Sequence, residues 1–349
     1  MRLLPPGIKA FRLLLGVISI TLLFTGPSMA QGKQGENKAD AVDTGQILRA
    51  VVGVETTTPA NTRTARALGT ERNGNGIIID NEGLVLTIDY VILEADSVNI
   101  VKPDGKKIPA KIVGYDHNTG FGLVRAIKPL NLKPIRLGRS ADLKEGKRVL
   151  IVSHEGELPV MAAQVVSRRP FAGYWEYLLS EAIYTVPPFP KYGGAALIDE
   201  GGRLLGVGSL VVGDAHLGPP PTPGNMFIPI DLLRPILADL IEAGRSRDPA
   251  RPWIGAHTAE INGRLQVVRV SRGGPADQAG LRDGDIIMGV GGKQVKSMQE
   301  FFLKVWAHGS AGAKIPIDVV KSGAAGIKIE KVIITSGDRY NWLKLKHSY

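Results

Sequence analysis

Between residues 76 and 230 the chain breaks into short apolar runs, each closed by a turn signal, and this rhythm constrains the fold more than any other feature. Gly76-Ile77-Ile78-Ile79 ends in Asp80-Asn81-Glu82-Gly83, and Leu84-Val85-Leu86-Thr87 resumes the run. Residues 97–101 and 111–114 flank a Pro103-Asp104-Gly105-Lys106 turn, and residues 121–127, 148–152 and 162–166 continue the pattern. Runs this short, spaced this regularly, read as a mainly β barrel or sandwich. The 43 glycines and 23 prolines suit so many bends better than they suit a helical bundle. The run ends in a helical segment at residues 231–241, with Asp231 as N-cap and Gly244 as C-cap.

Residues 245–252 form a charged, proline-bearing linker, and a compact unit follows over residues 253–338. Its centre reads Gly274-Pro275-Ala276-Asp277-Gln278-Ala279-Gly280-Leu281, then Gly284-Asp285-Ile286-Ile287. Pro275 to Ala279 can make one helical turn that Gly280 ends, Leu281 can plug a core, and Gly284-Asp285 can turn the chain into a strand. A helical stretch at residues 299–308 carries Phe301 and Val305 on one face.

Before the barrel region, residues 1–30 read as an export signal. Arg2, Lys9 and Arg12 precede an uncharged apolar run from Leu13 to Phe24, and Ser28-Met29-Ala30 places small residues at a cleavage site. Residues 31–45 read as a disordered polar linker, residues 46–54 as a short helix or first strand, and residues 56–75 as a long mobile loop. Residues 339–349 are left as a C-terminal tail.

The chain has no cysteine, which excludes disulfides, thiol catalysis and thiolate metal sites. Its six histidines show no metal-ligand spacing, so neither a metal nor another cofactor is expected. The net charge of +10 lacks the concentrated basic patch with interleaved aromatics that nucleic-acid binding needs, so no nucleic-acid partner is expected. His117 and His154 read as exposed loop histidines.

The signature from Gly274 to Ile287 resembles that of PDZ domains attached to bacterial proteases. With that unit placed, residues 46–244 resemble the trypsin-like double β-barrel of the HtrA/Deg serine proteases. The likeness rests on Gly76-Ile77-Ile78-Ile79-Asp80, Leu84-Val85-Leu86-Thr87, the segment from Ala110 to Asp116, Leu137-Gly138-Arg139-Ser140, the loop from Gly193 to Gly206, and Asn225-Met226-Phe227-Ile228-Pro229-Ile230. The resemblance implies a mainly β chain: a trypsin-like double β-barrel, then a small α+β PDZ domain. It implies an exported protein of the periplasm or cell envelope. It also implies that an extended peptide adds as a strand to the PDZ sheet, its carboxylate resting on Trp253-Ile254-Gly255-Ala256 and its side chains beside Phe301 and Val305.

The catalytic pattern departs from the family. Where the family reads Thr-Asn-x-His-Val, this chain reads Thr87-Ile88-Asp89-Tyr90-Val91. Where the aspartate belongs, it reads Gly120-Phe121-Gly122-Leu123-Val124. At the nucleophile loop it reads Lys191-Tyr192-Gly193-Gly194-Ala195-Ala196-Leu197, which puts Gly193, or Tyr192 in the other register, at the serine. No serine occurs from Glu181 to Gly208. Serine-protease chemistry needs a hydroxyl, an imidazole and an orienting carboxylate, and a phenol with a pKa near 10 is a poor base at neutral pH.

The expectation is therefore a pseudoprotease with no catalytic residues, binding unfolded or C-terminal polypeptide segments in a scaffold, chaperone or regulatory role. Two alternatives stand beside it. One is an active endopeptidase of envelope protein quality control with relocated residues, Ser153 and His154 being the first pair to test. The other is a structural subunit that joins other HtrA-type subunits, as a homotrimer, through residues 46–54.

Overall fold

The computed structural model describes residues 43–154, 159–323 and 326–343. The expected export signal, most of the expected linker and residues 344–349 lie outside them. The described residues begin with the last three of that linker. Asp43 accepts the Gln46 N–H at 2.9 Å and caps helix α1 (Thr44–Ala50), which runs straight into strand β1 (Val51–Thr57). Residues 46–54 are thus both of the things expected of them, helix first and strand after.

The segment expected to be a mobile loop is largely built. Strand β2 starts at Glu71 (Glu71–Ile78), and between β1 and β2 a helical turn, α2 (Ala65–Leu68), is tied down by charged side chains. Glu94 accepts the Thr64 N–H and hydroxyl, both at 2.7 Å. Arg72 donates to the carbonyls of Leu93 at 2.7 Å and Tyr90 at 3.1 Å. Polarity misleads here because these charges are spent on backbone groups rather than on water.

Strand β3 (Leu84–Ile88), helix α3 (Asp89–Ile92), and strands β4 (Ser97–Val101), β5 (Lys107–Tyr115) and β6 (Phe121–Ala126) complete the first barrel. It closes in the order β1-β2-β3-β6-β5-β4. β3 is buried along its whole length, and β1 sends Val51, Val52 and Val54 into the core. The second sheet contains β7 (Arg136–Leu137), β8 (Arg148–Val152), β9 (Val160–Gly173), β10 (Tyr177–Val186), β11 (Ala196–Ile198), β12 (Arg203–His216) and β13 (Thr222–Pro229). Its order is β11-β8-β9-β10-β13-β12-β7, and an added β11–β12 pairing brings the sheet round on itself. Strands β9 and β10 form one long hairpin, whose tip is Tyr174-Trp175-Glu176.

The single helix expected over residues 231–241 is broken. A 3-10 turn covers Ile230–Leu232, and α4 proper is Leu237–Ala243. Pro235 lies between them and cannot donate to a helical ladder. Asp231 is no cap; its carboxylate accepts the Ala141 N–H at 2.8 Å. Gly244 does end the helix, at φ 71°.

The third sheet runs β14 (Ala256–Ile261), β15 (Arg264–Val270), β16 (Ile286–Val290), β18 (Lys314–Gly323) and β19 (Gly326–Thr335), with β17 (Lys293–Gln294) paired on β16. Helix α5 (Pro275–Gln278) is the turn read from the signature, and Leu281 is fully buried behind it. Helix α6 (Met298–Trp306) starts at Ser297, whose side chain accepts the Glu300 N–H. It packs Phe301, Phe302 and Val305 into a core with Ile254, Ile315 and Ile317.

The expected C-terminal tail begins instead with a helix, α7 (Arg339–Leu343), seated against the first barrel. The Tyr340 hydroxyl donates to the Tyr115 carbonyl at 3.1 Å and accepts the His117 N–H at 3.2 Å. Leu343 joins the barrel core. Trp342 packs on Trp253, with the Arg63 guanidinium 3.5 Å above its ring. The expected linker is fastened too, by an Arg245–Asp338 ion pair at 2.9 Å.

Candidate functional site

Helix α3 follows β3 without a loop, so it delivers Asp89 and Tyr90 to the barrel rim. The Tyr90 hydroxyl crosses to the second barrel and donates to the Ser209 carbonyl on β12 at 2.9 Å. A β-carbon on Gly193 would stand 2.8 Å from that hydroxyl. The phenol thus occupies the space that a side chain at 193 would enter. Burial, with Tyr192 and Asp89 adding to it, raises the phenol pKa far above its ordinary value. Tyr90 is therefore a protonated donor and not a base.

The glycine loop is held from both barrels. The Asn75 side chain donates to the carbonyls of Lys191 at 2.8 Å and Gly193 at 2.9 Å. Gly194 donates to Gly208, and Gly208 to Ala195, each at 2.8 Å. A side chain on Gly194 would run into the Asn75 carbonyl, and its φ of 76° already favours glycine. Close approach of the two walls requires the glycine, with or without a nucleophile beside it.

Gly120 lies just before β6 at φ 86°, and a β-carbon there would stand 3.2 Å from both the Tyr177 hydroxyl and Ile228 Cδ1. The Tyr177 hydroxyl donates to the Thr119 carbonyl at 2.6 Å, and Asp89 N–H donates to the Gly120 carbonyl at 2.8 Å. Tyr90, Gly120 and Tyr192 line one cleft of ≈ 600 Å³, whose other wall includes Trp175, His257 and Arg272.

His117 is not the exposed histidine the sequence suggested. It is 7% exposed, its ring lies 4.5 Å from that of Tyr340, and its Nδ1 is 3.5 Å from Asp89 Oδ2. Neither ring nitrogen makes a hydrogen bond among the described residues. Burial, with Arg339 adding to it, holds the imidazole pKa well below its usual value, while burial pushes Asp89 up to about 7 against the pull of Arg339. His154 is half-buried, with its N–H bonded to the Asn75 side-chain oxygen at 2.7 Å. Ser153 is 1% exposed and is not among the residues lining the cleft.

The loop expected to receive a peptide carboxylate already holds one. Glu176, at the β9–β10 tip, accepts the N–H groups of Ile254 at 3.0 Å, Gly255 at 2.6 Å and Ala256 at 3.1 Å. Trp253 exchanges backbone hydrogen bonds with Gly337. Phe301 and Val305 are both buried in the core of the third sheet. Sequence reasoning named the loop and missed its occupant, since a glutamate between two aromatics at a hairpin tip carries no local signal of a partner 78 residues downstream. Arg339, half-buried behind this contact, was missed in the same way; its charge bears on both Glu176 and Asp89.

These geometries define a trypsin-like peptidase fold joined to a small α+β domain. The family model for "Trypsin-like peptidase domain" matches residues 74–207, and that for "PDZ domain" matches residues 266–305. The chain carries a trypsin-like peptidase domain with a C-terminal PDZ domain.

Among curated proteins it is 25% identical over 272 residues to the "Probable periplasmic serine endoprotease DegP-like" of Hahella chejuensis, covering 72% of this chain and 55% of that protein. It is 27% identical over 274 residues to the "Probable periplasmic serine protease do/HhoA-like" of Haemophilus influenzae, covering 72% and 56%. The chain thus matches little more than half the length of these relatives. Of solved structures, HtrA-type protease AlgW with decapeptide aligns at a TM-score of 0.51 with 21% identity, covering 86% of this chain and 98% of that one. That likeness concerns the fold alone.

Proposed function

We propose that this protein is an exported HtrA-like pseudoprotease of the periplasm that binds polypeptide without cutting it. The observation that carries the reading is the Tyr90 hydroxyl standing 2.8 Å from where a side chain on Gly193 would begin. Histidine, aspartate and serine roles fall on Tyr90, Gly120 and Gly193, and removing the members of a triad leaves only the weak catalysis of binding and oxyanion contacts. The periplasmic names of the relatives support the location. The PDZ domain supports polypeptide segments as partners and a scaffold, chaperone or regulatory role. The HtrA-type fold supports assembly with like subunits through the region of α1 and β1.

The test is hydrolysis of unfolded casein and of a fluorogenic peptide panel, run beside labelling by a fluorophosphonate. The reading expects neither turnover nor labelling. Turnover that a serine-protease inhibitor abolishes would overturn it.

The protease names of the relatives favour the rival, an active endopeptidase with relocated residues. Its pair would have to be Ser153 with His154, or a hydroxyl brought to the His117–Asp89 contact. Burial of Ser153 and the hydrogen-bond-free ring of His117 argue against both.

A further inference from the structure

The hairpin tip meets the PDZ sheet as a bound chain end would. Glu176 puts both carboxylate oxygens on three successive backbone N–H groups of the loop from Ile254 to Ala256. Two residues earlier, the Tyr174 carbonyl accepts the Thr258 N–H on β14 at 3.0 Å. A carboxylate on the loop and, two residues upstream, a main-chain bond to the adjoining strand are the contacts by which an added strand is held. The flanks follow the tip: Ala172 and Leu178 pack against the PDZ core.

The contact is made deliberately by local standards. Glu176 sits at φ 59°, in the left-handed region that side chains seldom adopt, and it is 8% exposed. A buried carboxylate persists only when paired and hydrogen-bonded. Here three N–H groups supply the bonds, and burial still pushes the carboxyl up to about 7 against them and against the nearby charge of Arg339. Arg339 also donates to the Trp175 carbonyl at 3.4 Å, which braces the turn from behind.

We propose that the tip Tyr174-Trp175-Glu176 is an internal pseudo-ligand of the PDZ domain. It occupies the carboxylate loop in the resting chain, and a polypeptide with a free C-terminal carboxylate binds by displacing Glu176. The inference rests on the reading that this loop takes chain ends.

The test uses the full chain and fluorescein-labelled random decapeptides ending in Val, Leu or Phe, each set made with a free and with an amidated C-terminus. Binding is measured by polarisation for the wild type, Glu176→Gln and Glu176→Ala, with thermal melts to confirm folding. The expected result is about tenfold or more tighter binding of free-carboxylate peptides to Glu176→Ala, because the competent fraction of the loop rises. Glu176→Gln, which keeps the acceptor and loses the charge, should fall between, and amidated peptides should not respond. Equal binding of free-carboxylate peptides to all three proteins would overturn the pseudo-ligand while leaving the PDZ reading intact. No preference for the free carboxylate in any of the three would overturn both. If Glu176→Ala fails to fold, Glu176→Gln decides: unchanged affinity overturns the proposal.

Discussion

The hydroxyl of Tyr90 and the α-carbon of Gly193 form a matched pair: any side chain added at 193 would begin 2.8 Å from the phenol oxygen. The next nearest atom of Tyr90 is 3.7 Å away, an ordinary contact. One oxygen therefore closes the position.

A double-mutant cycle follows from that geometry. Gly193→Ala in the wild type should cost about 1–3 kcal/mol through overpacking. In a Tyr90→Phe background, where the crowding oxygen is gone, less than half of that cost should remain. Tyr90→Phe alone should cost about 1 kcal/mol, for the lost bond to the Ser209 carbonyl. Denaturant melts of the four proteins measure the coupling; strictly additive costs would contradict the packing described.

Gly120 cannot regain an aspartate freely. Its φ of 86° and the 3.2 Å approaches of Tyr177 and Ile228 make any side chain there strained. Gly120→Ala should lower stability by about 1–3 kcal/mol. The combined Tyr90→His, Gly120→Asp, Gly193→Ser variant should be destabilised and should still fail to react with a fluorophosphonate, which intact-mass spectrometry would read directly.

Burial pushes the Glu176 carboxyl up to about 7 from an ordinary 4.5, against the pull of its three N–H donors and of Arg339. Between those two pH values the folded chain keeps a proton that the unfolded chain has released. The associated stability is complete below pH 4.5 and is lost as pH rises through 7. Glutamine at 176 titrates nothing, so Glu176→Gln should gain stability relative to the wild type as pH goes from 5 to 8, by up to a few kcal/mol. Asp89, His117 and His257 also titrate abnormally, but they are common to both proteins and cancel to first order in the difference. A pH-independent difference in Tm would contradict the burial described.

Helix α7 should matter to the barrel and not only to the PDZ domain it follows. Leu343→Ala removes a side chain that is 6% exposed in the barrel core and should cost about 2–5 kcal/mol. Tyr340→Phe should speed amide hydrogen exchange at His117, whose N–H it holds. Exchange changes confined to β18 and β19 would show that the helix does not brace the barrel.

Much of the architecture was legible because it is written locally. Alternating apolar runs and glycine turns announce strands whatever they later pair with, and the segment from Gly274 to Ile287 carries its own turn, plug and strand start. The α4 helix was overextended, since apolar spacing outweighed Pro235 in the reading. The loop after β1 looked mobile only because the carbonyls that Arg72 serves lie up to 21 residues away. The tail after Asp338 looked free because nothing in five residues reveals that Tyr115 and His117, more than 220 positions earlier, wait for Tyr340.

The sequence by itself supplied the expectation that Tyr90, Gly120 and Gly193, or Tyr192 in the other register, stand where a trypsin-like triad belongs, because residue identity at a motif position is read without coordinates. Through the resemblance it also implied that the loop from Trp253 to Ala256 would present backbone N–H groups. Only the tertiary structure decided that Tyr90 plugs the space at Gly193, that Tyr177 closes against Gly120, and that Glu176 holds the loop amides. Those outcomes depend on long-range packing, in which a side chain's destination is set by whichever buried donor or void lies within its reach, and chain separation says nothing about that distance.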